Sequence, residues 1–301
     1  MVEGTWNRVR LSLVLLMGVT ASSFAAIFIR LADAPPLVIA AGRLALASLI
    51  VAPVGVLRCW PELRALLRRD VLWAIVSGLF LTLHFAFWIA SLEHTSVASS
   101  VVFVATSPLF VAVASHLFTQ DKLSRIMLSG VLLAVLGAMV IGLDDFDLTG
   151  TALWGDFLAV LGAAMAAGYF MVGRGLRPKI SLLAYVSVVY SIGAAGAVLL
   201  VGLTRQPLTG YSTITYVMFI LLAIVPQVIG HSSLNWALRH ISATAVGVTT
   251  LGEPVGSTIL ACLILMETPS LVKLGGAALI LLGVYLSMRE EERARGSAVE
   301  A

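Results

Sequence analysis

The chain contains a copy of part of itself. From Leu238 to Leu286 it reads LRHISATAVGVTTLGEPVGSTILACLILMETPSLVKLGGAALILLGVYL. Moved back by 146 positions, this stretch meets a second version without a gap. His94 falls on His240, Ser96 on Ser242, Pro108 on Pro254, Asp121 on Glu267, Ser124 on Ser270, Gly130 on Gly276 and Gly137 on Gly283. A repeat constrains architecture more than any local propensity, because both copies must fold alike and fit together. Earlier parts match more thinly. Gly18 with Gly162 and Arg30 with Arg174 align at 144, so one small length change separates the blocks.

The repeated unit is a membrane unit. The 301 residues are 59% hydrophobic and 12% charged, with mean hydropathy +1.02. A soluble domain carries roughly 25% charged residues, so lipid is the solvent for most of this chain. A spanning helix needs about 20 mostly apolar residues. Ten segments qualify: 11–30, 36–57, 71–91, 96–118, 125–143, 151–173, 182–203, 212–236, 242–266 and 270–288. The first resembles a signal peptide, with Arg8 and Arg10 ahead of it. Its apolar run is long enough to span and more spans follow, so it reads as a retained helix. The connections are short and leave no room for a soluble domain. The net charge of +3 gives no reason to expect nucleic acid. Cys59 and Cys262 make neither a disulfide framework nor a metal site. Sixteen Arg against three Lys fits a GC-rich bacterium.

Orientation follows from Lys and Arg. With the N-terminus inside, the inner side holds Arg8, Arg10, Arg58, Arg64, Arg68, Arg69, Lys122, Arg125, Arg174, Arg177, Lys179, Arg239, Arg289, Arg293 and Arg295. The outer side keeps Arg30, Arg205 and Lys273, with Asp144, Asp145 and Asp147 in one outer loop. Both termini are therefore expected in the cytoplasm of a bacterial inner membrane. Trp60, Trp73, Trp154 and Tyr211 sit at helix ends, as an aromatic belt requires. The fourth and fifth segments match the ninth and tenth, which makes the unit five helices long. Five is odd, so the second copy enters the membrane upside down. The expected fold is an all-α membrane protein of ten helices in two inverted halves, 11–143 and 151–288, with a tail at 289–301. Inverted halves are the mark of alternating-access transporters. The plainer reading is a duplicated bundle kept for packing.

These residues resemble the drug/metabolite transporter superfamily in its ten-helix EamA-type branch. The specific element is a proline, an acid thirteen residues on, then glycines nine and sixteen further. It occurs as Pro108, Asp121, Gly130, Gly137 and again as Pro254, Glu267, Gly276, Gly283. Arg43 in AAGRLALASL is similar to the arginine of the family's second helix, and Tyr169 fits the aromatic position of the sixth. Met17-Gly18 stands where the family often has Trp-Gly, and the matching tryptophan of the sixth helix is absent. The resemblance implies an exporter of amino acids or similar small metabolites, without an ATP-binding part.

Glu253 is the sharpest single residue. It lies about eleven residues into its span, or roughly 16 Å at 1.5 Å per residue, near the middle of a ~30 Å core. A charge there costs several kcal/mol and usually faces a cavity. Thr249 and Ser257, a turn to either side, complete a polar stripe. Glu253 is expected to bind a substrate ammonium group or to carry a proton; the bland alternative is an interhelical hydrogen bond. Pro108 and Pro254 each delete a backbone bond at mid-span and are candidate hinges, or static kinks. His84 with Ser77, Leu81, Trp88 and Ser91 marks one face of the third helix. Gln227, His231 and Asn235 mark one face of the eighth, and by the shift His231 meets Phe85. Both faces are expected to look inward. Trp88 and Tyr169 could stack on an aromatic or cationic substrate, or simply pack. Arg43 is expected to be structural, snorkelling outward or pairing with Asp33 or Asp156. Pro226 reads as a kink. Asp121 and Glu267 read as caps or latches. Gly130, Gly137, Gly275, Gly276 and Gly283 allow close helix contact and offer a dimer surface.

The sequence therefore points to a secondary transporter for a small metabolite, amino acids first, monomeric or homodimeric in the bilayer, with the proton as one candidate coupling ion. Multidrug efflux is the alternative within transport. No enzymatic activity and no cofactor are expected. An intramembrane hydrolase would need a Gly-x-Ser-x-Gly element or paired aspartates. An ATP-driven pump would need a glycine-lysine phosphate loop, and none of the three lysines follows a glycine.

Overall fold

The structure, a computed structural model, describes residues 2–95, 97–118, 124–142, 150–265 and 270–300. Ser96, Asp121, Lys122, Asp144, Asp145, Asp147 and Glu267 lie outside the described residues. Among those described, every regular element is helical. Backbone polar groups in hydrocarbon must be satisfied within their own segment, and a helix does this. The elements are α1 (Val2–Ser23), α2 (Ala25–Leu31), α3 (Pro36–Arg64), α4 (Arg68–Ser91), α5 (Val97–Val104), α6 (Ser107–Phe118), α7 (Arg125–Gly142) and α8 (Gly150–Leu176). They continue with α9 (Leu182–Leu203), α10 (Thr213–Leu222), a π-helical segment (Ala223–His231), α11 (Ser232–Ala237), α12 (Ala243–Thr250), α13 (Gly252–Leu265) and α14 (Leu271–Glu300). Among the described residues, seven stretches are long and apolar enough to cross a membrane, and α7 is a shorter apolar helix. This is an all-α membrane protein.

Several ends differ from the sequence reading. The second segment was expected to stop at 57, but α3 runs to Arg64, through Pro53 and Pro61. Hydropathy marks where hydrocarbon ends, and the helix continues beyond it. The tail expected after 288 is helical for the same reason, as part of α14. Four expected single helices are interrupted, the first of them at Phe24, between α1 and α2. The fourth breaks between Val104 and Ser107, and the ninth between Thr250 and Gly252. These breaks are 146 residues apart and precede Pro108 and Pro254. The eighth is π-helical around Pro226, where the missing N–H loosens the ladder.

Glycine sets the helix pairs. α7 and α14 pack antiparallel and reciprocally. A Cβ on Gly137 would lie 2.6 Å from the Gly276 carbonyl oxygen and 2.7 Å from the Ile280 nitrogen. On Gly283 it would lie 2.5 Å from the Gly130 oxygen and 2.6 Å from the Ala134 nitrogen. Four of the five glycines suggested as a dimer surface are thus consumed inside the chain; Gly275 alone faces open space. A second correspondence joins α1 to the π segment and α4 to α8. A Cβ on Gly18 would touch Ser233, Leu234 and the Gly230 oxygen, and one on Gly162 would touch Trp88 and the His84 oxygen. Leu234 and Gly230 are Trp88 and His84 moved by 146.

Gly276→Leu is expected to separate α7 from α14, at a cost of at least the ~1–3 kcal/mol of ordinary overpacking, because the obstructing atoms are backbone. Gly275→Ala, one residue away, should leave stability unchanged or raise it by up to ~1 kcal/mol. Melting temperatures of the two variants in detergent check the pair.

Candidate functional site

A cavity of about 60 Å³ lies at mid-bundle. That is room for a few water molecules, and its lining comes from both halves of the sequence. Ser22 and Arg43 enter from α1 and α3, and His84 and Trp88 from α4. Tyr169 comes from α8, His231 from the π segment, and Glu253, Pro254 and Ser257 from α13. The lining is mainly apolar but includes the charged and polar side chains of Arg43, His84, His231 and Glu253, which the inert-bundle reading does not require.

Its wall is a chain of rings. His84 stacks on Trp88 with centroids 5.9 Å apart, and lies 4.7 Å from Phe85 and 6.4 Å from His231. His231 in turn lies 6.2 Å from Tyr169. Local hydrogen bonds orient these rings. His84 Nδ1 donates to the Gly162 carbonyl at 2.9 Å, an acceptor-only partner that assigns the ring proton to Nδ1. Asn235 Nδ2 donates to the Tyr169 hydroxyl. The two inward faces expected on the third and eighth segments therefore do meet.

Six of the eight residues singled out as substrate-binding line the cavity: Glu253, Ser257, His84, Trp88, Tyr169 and His231. Thr249 does not. The interruption at Leu251 breaks the expected stripe, and the Thr249 hydroxyl donates to the Ala245 carbonyl at 2.8 Å and lies 3.6 Å from the Met288 sulfur. Its neighbour Thr250 takes the lining position. Gln227 is fully buried behind the wall, where its Oε1 accepts from Arg43. Of the two candidate hinges, Pro254 lines the cavity, while Pro108 packs against Gly247. Each proline removes the donor for the carbonyl four residues earlier. Those are Val104 and Thr250, and both line the cavity.

Arg43 is the correction of most consequence. It neither snorkels nor pairs with Asp33 or Asp156. It is 0% exposed, donates from Nε to Gln227 at 2.7 Å, and holds its guanidinium carbon 4.0 Å from the centre of the Phe85 ring. It faces Glu253 electrostatically across the cavity, with Ser22 beside the carboxylate. The signal was present. An arginine two turns inside a span meets the same insertion cost as Glu253, but its partner Gln227 lies 184 residues away.

Behind Tyr169, its partner Asn235 rests on a floor of charge and backbone that does not itself line the cavity. Arg177, 1% exposed, donates to the carbonyls of Asn235, at 3.0 Å, and of Ile180. Arg174 donates to that of Leu238 at 3.0 Å. These arginines satisfy the carbonyls left over at the end of α11. Burial, reinforced by Arg239, lowers Arg177 to about 10, which leaves it charged at neutral pH. Two glutamates clamp helix starts. Glu62 accepts from the Ser181 N–H and, at 2.7 Å, its hydroxyl. Glu291 accepts from the Ser242 N–H at 2.9 Å and its hydroxyl at 2.6 Å. Lys179 pairs with Asp70 at 2.6 Å, and the Arg10 guanidinium sits 5.2 Å from the Trp236 ring centre.

The model of the EamA-like transporter family matches residues 10–143 and 153–289, and the chain belongs to that family. An uncharacterised transporter of Archaeoglobus fulgidus is 26% identical over 85% of this chain and 89% of its own length. The pseudopaline exporter CntI of Pseudomonas aeruginosa is 26% identical over 76% of this chain and 78% of its own. A solved crystal structure superposes with a TM-score of 0.78 at 19% identity, covering 95% of this chain and 99% of that one, which shows the fold. The chain is a membrane transporter of this family.

Arg177→Ala is expected to leave two buried carbonyls without their donor, at ~1–3 kcal/mol. The detergent-solubilised variant should melt several degrees below the wild type, and a melting point unchanged within error would remove Arg177 from the floor.

Proposed function

We propose that this protein exports amino acids or similar small metabolites across a bacterial inner membrane by alternating access through the central cavity. Ten spans form two inverted halves, and both termini lie in the cytoplasm. The observation that carries the reading is the position of Glu253. This acid lines a cavity walled by His84, Trp88, Tyr169 and His231 and built from both sequence copies. The carboxylate suits an ammonium group, and the rings suit the side chain beside it. The two-part family match, the matched helix breaks and the reciprocal packing of α7 and α14 support inverted halves. The name of the pseudopaline exporter supports export as the direction. Pro108 and Pro254 serve as the hinges, and energy comes from the solute gradient or from protons through Glu253.

The test is efflux from proteoliposomes loaded with each of twenty labelled amino acids, with and without a pH gradient, beside a resistance assay with cationic drugs. Efflux of at least one amino acid and no resistance is expected. Resistance without amino-acid efflux would favour the multidrug alternative. Glu253→Gln and Glu253→Ala should each lower transport tenfold or more, and wild-type rates in both would remove Glu253 from the mechanism. Pro108→Ala and Pro254→Ala should slow turnover at unchanged expression.

A further inference from the structure

The guanidinium nitrogens of Arg43 are not used alike. Nε is held by Gln227 and the flat of the group by Phe85. Nη1 and Nη2 are fully buried and have no hydrogen-bond partner among the described residues, although Arg43 lines the cavity. Nothing local requires this arrangement. A guanidinium that served only to offset Glu253 could turn its Nη edge to protein carbonyls, as Arg177 does. Here the group is pinned from behind and its two-donor edge is left for something else. A planar pair of N–H donors in fixed orientation matches the two oxygens of a carboxylate.

We propose that the Nη edge of Arg43 is a carboxylate subsite, and that the transported solute is a zwitterion held between Arg43 and Glu253. This rests on the transport reading above and narrows its substrate class. The charges of the chamber favour that class over its neighbours. A plain amine would neutralise Glu253 and leave the Arg43 guanidinium facing a second cation. A plain acid would do the reverse. Either leaves an uncompensated buried charge, whereas a zwitterion answers both poles and enters and leaves without changing the net charge of the chamber. Trp88 Nε1, also without a partner among the described residues, adds a donor to the same wall.

The experiment uses the amino acid that wild-type protein exports fastest, together with the amine made by removing its carboxylate and the acid made by removing its amino group. Competition in proteoliposomes should show the amine and the acid each at least tenfold weaker than the amino acid. Arg43→Gln should collapse the preference for the amino acid over the amine to near unity, and Arg43→Lys should keep part of it. Gln227→Met, which releases Nε, should raise the KM for the amino acid and leave competition by the amine unchanged. The preference is a ratio measured within one preparation, so partial misfolding of a variant leaves it readable. Equal competition by the amine in wild type would overturn the subsite. So would amino-acid and amine transport falling together in Arg43→Gln, which is the behaviour of a mere counter-ion. Efflux of none of the twenty amino acids by wild type is a different failure, and it removes the transport reading itself.

Discussion

A guanidinium and a carboxylate far from either membrane face can persist only where protein, not lipid, surrounds them. That cost organises this molecule. Arg43 and Glu253 come from opposite copies of the repeat, and enclosing both forces the copies to share one chamber. The surrounding rings and the Gln227 bond hold its wall in place. Most of the remaining chain serves to bring helices near enough for the chamber to close.

Glycine does that work. At Gly55, Gly130, Gly137, Gly276 and Gly283 the next helix lies where a methyl group would sit, and at Gly18 and Gly162 it leaves little room for one. Hydrocarbon gives apolar side chains little reason to leave it for each other, so close van der Waals contact has to hold the bundle instead. The contacts recur at equivalent positions in both copies, which is why an offset of 146 in the sequence reappears as packing.

Much of this was legible in the sequence, and what escaped it has a common cause. Leu182–Leu203 was read with its true ends, because its apolar run and its helix coincide and Ser181 caps its start. α3 was read short because apolarity ended before helicity did. The π segment was invisible, since periodicity averages over a single widened turn. Glu253, His84 and His231 were found because polar residues in an apolar run announce themselves. Arg43 announced itself equally, but the rule that sends long cations to the interface took precedence. Thr249 was misplaced because a continuous helix was assumed through Leu251. Local spacing carries faces and ends. It does not carry a bond between positions 43 and 227.

The Glu62 clamp on Ser181 has no counterpart under the repeat. At an offset of 146 the mirror positions are Leu208 and Pro35, and at the 144 of the earlier blocks they are Gln206 and Leu37; neither pair carries a carboxylate. Duplication has copied the shape of the halves but not every lock. The two copies are therefore held at this point by different bonds. In a carrier such a difference can bias where the molecule rests but not which way cargo flows, because a resting bias cancels around a closed cycle and only a gradient survives it.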